Sequence, residues 1–82
     1  MLYSAQIRAA RALLAWRQED LARAARVGLA TIQRIEQKHG PALGNMATLL
    51  RIQHALEAAG VRFLAADQHG GVGVRLAQTA HH

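Results

Sequence analysis

The chain has 82 residues, no cysteine, and ten basic against five acidic side chains for a formal charge of +5. That length supports one domain with a thin core, because short chains bury a smaller share of their surface. The missing cysteines exclude a disulfide framework and a thiolate metal site, which leaves dimerisation as the expected source of extra stability. Nine of the ten basic residues are arginine, whose planar fork suits phosphate and guanine edges, so a polyanionic partner competes with the plainer reading of a solvated basic surface. No apolar run reaches a membrane span and the N-terminus lacks a secretory pattern, which reads as a cytoplasmic protein.

In "SAQIRAARALLA", helix formers dominate from Ser4 to about Ala15, with Ser4 as the expected N-cap. Ile7, Ala10 and Leu14 recur at i, i+3 and i+7 and mark the core face, while Arg8 begins the opposite one. A second helix starts near Gln18, where Glu19 and Asp20 complement the positive helix end, and its buried stripe is Leu21, Ala22 and Ala25. Arg26-Val27-Gly28 stops it. A third helix is predicted from about Leu29 to Lys38, with Ile32 and Ile35 facing inward and Ala30, Gln33, Arg34 and Gln37 facing out. "HGPALGN" is a loop, Asn45 caps a fourth helix with the stripe Met46, Leu49, Ile52 and Leu56, and Gly60 closes it.

Beyond Gly60 the period changes to two. Val61 and Phe63 alternate with Arg62, and Val72, Val74 and Leu76 alternate with Gly73 and Arg75, around a turn at Asp67 to Gly71, which predicts a β-hairpin. A lone hairpin is marginal in water. Two arrangements would cover it: pairing of two copies into a dimer-spanning sheet through Val61, Phe63, Val72, Val74 and Leu76, or a ribbon folded back on the chain's own helices.

The second and third helices with their tight connection make a helix-turn-helix candidate. Counting from Gln18, the fifth position is the small Ala22, and the tenth, fifteenth and eighteenth are the apolar Val27, Ile32 and Ile35. With "RAARALLAWRQEDLARAARVGLATIQRIE" from Arg8 to Glu36, and especially "W-x-Q-E-x-L-A" followed by "T-I-x-R-I-E", the chain resembles the Cro/repressor-like (XRE) family of helix-turn-helix regulators, over roughly two thirds of its length. Arg26 stands where that family usually has a glycine in a left-handed turn, and Arg17 and Gly28 stand where it usually caps with Ser or Thr. The usual fifth helix is replaced by the hairpin.

The resemblance implies a mainly α fold with a four-helix lambda-repressor-like DNA-binding domain over residues 1–60, and the period-two pattern adds a C-terminal β-hairpin over 61–78, expected as a dimerisation element. It implies that the third helix enters the major groove and that Leu29, Ala30, Gln33 and Arg34 meet base edges. Gln suits adenine, Arg suits guanine, and Ala or Leu can touch a thymine methyl; phosphate contact or simple solvation are the other roles open to Arg34. Gln18 is implied to hold a phosphate, with Arg17 and Lys38 flanking it and Thr31 either joining them or only occupying the first turn. Arg11 and Glu36 are implied to form a structural ion pair, an unpaired surface Arg11 being the other reading, and Trp16 is read as packing in preference to a DNA-backbone contact.

His39, His54 and His69 are too dispersed for a metal site, "GGVGV" lacks the lysine and helix of a phosphate loop, and His81-His82 is assigned no function. The expectation is therefore a transcriptional regulator, not an enzyme, with no cofactor, bound to double-stranded DNA as a homodimer on an inverted repeat. Two alternatives stay open: the DNA-binding antitoxin of a toxin–antitoxin pair, with a toxin as protein partner, or a protein-interaction module that uses the hairpin.

Overall fold

In the computed structural model, which describes residues 2–78, the elements in chain order are α1 (Ser4–Leu14), α2 (Gln18–Ala25), α3 (Leu29–Glu36), α4 (Met46–Ala58), β1 (Val61–Leu64) and β2 (Gly73–Leu76). His81 and His82 lie outside the described residues. The helical stripes meet in one core of Ile7, Leu21, Ile32, Ile35, Ile52 and Leu56, each essentially without solvent contact. Each such side chain contributes about 1.5–3 kcal/mol when it leaves water. Ala10, Ala22 and Ala25 are buried between them and let the helices approach closely.

Both α1 and α2 end in the same way. Ala15 and Arg26 take left-handed conformations, with φ of 55° and 57°. Trp16 N–H then donates to the Arg11 carbonyl at 2.9 Å, and Val27 N–H to the Ala22 carbonyl at 3.0 Å. Together with the bonds from Ala15 N–H to Ala12 and from Arg26 N–H to Arg23, these form Schellman caps, usually built on glycine. Arg26 thus adopts the left-handed turn that the resemblance implies, and the tertiary packing holds a side chain where it costs about 1–2 kcal/mol.

Four expectations for the helices change. Ser4 is the first residue inside α1, with Tyr3 at the cap, because the Ser4 hydroxyl instead donates to the Ile35 carbonyl at 2.8 Å. The third helix ends at Glu36, two residues before the expected Lys38. The carbonyls that a longer helix would serve internally are taken by α1, since Ser4 Oγ holds that of Ile35 and the Arg8 guanidinium holds that of Glu36. Arg8 is accordingly half-buried rather than on a free outer face. Met46, expected in the core stripe of α4, is 69% exposed because it lies in the first turn, ahead of the point where the helix meets its neighbours. Asn45 caps α4 as expected, its side chain accepting from Ala47 N–H at 2.8 Å.

β1 and β2 pair antiparallel with Val61 opposite Leu76, Arg62 opposite Arg75 and Phe63 opposite Val74. Val61, Phe63, Val74 and Leu76 share the inward face and pack on the helical core, β1 over α4 and β2 over α1. Val61 is fully buried in its own chain, which removes it from the expected dimerisation set. Val72 precedes β2 instead of lying in it. Gly60, at φ 107°, makes the turn from α4 into β1, and the amide of the buried Gln6 in α1 donates to the carbonyls of Leu64 and Gly73 at 3.2 and 2.9 Å. The ribbon is folded back on the helices and shares their core.

Candidate nucleic-acid interface

Two isoleucines three residues apart fix the orientation of α3. Ile32 and Ile35 are buried against α2 and α1, so helical geometry turns the remaining side chains outward. Leu29, Ala30, Gln33 and Arg34 are all exposed on that outer side, as is Gln37 at the helix end. Their chemistry is mixed: apolar at the N-terminus of the helix, then an amide, then a guanidinium. Thr31 is half-buried beside Gly28, whose carbonyl accepts the Thr31 and Ile32 N–H groups at 3.1 and 3.2 Å. Lys38 is exposed and lies beyond the helix.

Behind this surface sits Glu36, the only buried acidic side chain among the described residues. Its carboxylate receives Arg11 Nε and Nη2 at 2.7 Å each, a bidentate pair, and Gln18 Nε2 at 3.2 Å. Arg11 Nη1 also donates to the Trp16 carbonyl at 3.0 Å. One buried charge therefore links α1, the start of α2 and the end of α3. The side-chain hydrogen bond to Glu36 raises the Arg11 pKa against the opposing effect of burial. Glu36 is 2% exposed and Arg11 20%, so the pair is shielded enough to set geometry. In such pairs the cost of desolvation offsets much of the attraction.

The N-terminus of α2 is organised by its own acids. Asp20 accepts the Arg17 N–H at 2.8 Å, closing the first turn. That backbone hydrogen bond is the main reason its carboxyl titrates below the ordinary aspartate value, assisted by the Arg17 and Arg23 charges. The Arg17 guanidinium rests near Asp20 and Glu19, at 3.7 and 4.0 Å, in loose exposed pairs that water and salt readily break. Gln18 spends one of its amide hydrogens on Glu36 and keeps the other.

Beside the expected Arg11–Glu36 pair, sequence reading missed the other two members of a clamp on the end of α3, Ser4 and Arg8. Ser4, Arg8 and Arg11 recur at i, i+4 and i+7, which places three donors on one stripe of α1. Ser4 takes the Ile35 carbonyl, Arg8 the Glu36 and Lys38 carbonyls, and Arg11 the Glu36 carboxylate. Polar spacing of that kind was the available signal. The inner face of α3 is thus held by side chains, and its outer face is exposed among the described residues.

A family model described as helix-turn-helix matches residues 7–52, more than half of the chain. The chain belongs to the Cro/C1-type (XRE) helix-turn-helix family. No curated protein and no solved structure matches it significantly. The XRE match begins in α1 and ends within α4, so it contains the whole α2–α3 unit and the Arg11–Glu36 pair, and stops short of the hairpin. An XRE domain is a DNA-binding module, and this one carries that function. No helix among the described residues is long and apolar enough to cross a membrane. Within the same residues, no three His, Asp or Glu side chains converge as a metal site would need.

Proposed function

We propose that this XRE domain is a sequence-specific transcriptional regulator that reads the major groove of double-stranded DNA with α3. The observation that supports the reading is the division of α3 between a face locked by Ile32, Ile35 and Glu36 and an outer face carrying Leu29, Ala30, Gln33 and Arg34. Arg34 grips guanine O6 and N7, Gln33 bonds an adenine, and Leu29 and Ala30 lie against thymine methyls. Arg17, Gln18, Thr31 and Lys38 hold backbone phosphates. In doing so Arg17 exchanges its loose acidic neighbours for a phosphate, and Gln18 offers its second amide hydrogen while the first stays on Glu36.

The regulator acts as a homodimer on an inverted repeat, with half-sites about 34 Å apart. Because the inward face of the hairpin is spent on the chain's own core, a second copy has the exposed Leu43 of the loop before α4 and Met46 and Leu50 of α4 as its apolar contact. Selection of duplexes from a random pool, followed by gel shifts, tests the assignment. Arg34→Ala should lose about 1–3 kcal/mol of preference for the selected site, and Gln18→Ala should weaken all duplexes alike. An unchanged preference in the Arg34 variant removes it from the reading set. Sedimentation that returns one chain mass on a half-site and on the full repeat removes the dimer.

A further inference from the structure

The hairpin holds two arginines that no described carboxylate answers. Arg62 and Arg75 are directly opposite each other on its outward face, both exposed, and neither forms an ion pair among the described residues. Like charges in that position repel across the strands. The pair also stands away from the DNA-reading side, since the hairpin packs on α1 and α4 whereas α3 packs on α1 and α2.

The backbone beside them is unfinished. Ala77 N–H donates to the Gly60 carbonyl at 2.7 Å, and those two residues flank the Val61–Leu76 pair, which makes it a pair without mutual hydrogen bonds. By alternation Arg62–Arg75 is the bonded kind and Phe63–Val74 again is not. The N–H and C=O groups of Val74 and Leu76 therefore point to the outer edge of β2, where the two-stranded sheet supplies no neighbour. Along that edge runs an open cleft of about 680 Å³, lined by Val74 to Gln78 with Arg62 and, from α1, the half-exposed Leu13.

We propose that this edge receives an extended acidic segment of another protein as a third strand. Val74 and Leu76 supply the main-chain hydrogen bonds. Alternate side chains of the incoming strand place carboxylates over Arg75 and Arg62 and apolar groups against Leu13. A second copy of this chain fits poorly, because symmetric pairing of β2 through Val74 and Leu76 sets Arg75 opposite the partner's Arg75. Charge complementarity selects an acidic strand, and the apolar lining favours a peptide over a phosphate chain.

The test uses the full chain and two capped synthetic ten-residue peptides, one alternating Glu with Val and one alternating Lys with Val, by fluorescence anisotropy and amide hydrogen exchange. The Glu peptide should bind and slow exchange at Val74 and Leu76. Arg75→Glu should weaken it about tenfold and strengthen the Lys peptide by a similar factor, as loss of an exposed charge pair and its reversal into a repulsion would. This variant relieves the repulsion with Arg62, so the hairpin fold is not at risk, and far-ultraviolet circular dichroism checks it. Equal binding of both peptides, or exchange at Val74 and Leu76 that neither peptide alters, overturns the proposal. So does protection of those amides by a DNA duplex in preference to the Glu peptide, or by self-association at higher chain concentration with no peptide present.

Discussion

Glu36 joins three elements through one carboxylate, so its removal should cost more than an ordinary surface charge. Glu36→Ala strands Arg11, which is partly able to reach water, and leaves Gln18 without its acceptor. A loss of about 2–4 kcal/mol in urea denaturation is expected, toward the lower part of the range for broken buried pairs. A double-mutant cycle with Arg11→Ala should show strong coupling, and additive losses would mean that the two side chains act independently. Asp20 behaves differently. Its folded pKa lies below its unfolded one, so its contribution is present above about pH 4, near the free aspartate value, and disappears as pH falls through the folded value. The stability gap between the parent chain and Asp20→Asn should therefore be constant near neutrality and close on acidification below the free aspartate value. A gap that widens there reverses the assigned sign. Arg11, raised from an already high value, stays charged throughout.

The turn between α2 and α3 carries strain that its residue type does not need. Arg26→Gly removes the left-handed penalty but adds freedom to the unfolded chain, and the net expectation is a gain of up to about 1 kcal/mol in thermal or urea unfolding. Gly60→Ala should do the reverse. Space for a methyl group exists there, but φ of 107° does not suit it, and a loss of about 1–3 kcal/mol is expected. The helices and the hairpin were legible because apolar spacing switches from 3.6 to 2 at Gly60, and the inward positions of α2 and α3 followed from the spacing of Leu21, Ala22, Ala25, Ile32 and Ile35. Periodicity says which face of an element is covered but not where contact begins or ends, so it placed Met46 inside and carried α3 on to Lys38. Ser4 and Arg8 were misread for a related reason. Their partners are carbonyls distant in sequence, and local capping rules consider only neighbours.

At the scale of the molecule, alternation in the hairpin announced an apolar face without naming its cover. The cover is the chain itself, through α1 and α4. Truncation after Gly60 removes Val61 from the core and should leave residues 1–60 largely unfolded at room temperature, as circular dichroism melting would report. A cooperative melt of that fragment near the full chain's midpoint would show that the hairpin contributes little. The XRE region was readable because the spacing of small and apolar residues is itself the constraint, whereas the choice of base cannot be deduced from exposure. Of the proposed phosphate contacts only Arg17 and Lys38 are cationic. DNA affinity should then fall with salt at a logarithmic slope of about −2 per chain, reduced by about one in Arg17→Ala.

The clamp that ends α3 at Glu36 also limits how much information the domain can read. Eight residues make a helix about 12 Å long, which spans roughly three to four base pairs of a groove rising 3.4 Å per step. Four fully specified pairs occur by chance about once in 256 positions, and two such half-sites together about once in 65,000. Against the ~10⁶ or more competing sites of even a small genome, that is on the order of ten or more addresses. Under the proposed reading, base contacts from α3 would suit a regulator of a set of promoters, and a single address would demand selectivity from the shape of the DNA between half-sites or from a protein bound beside it.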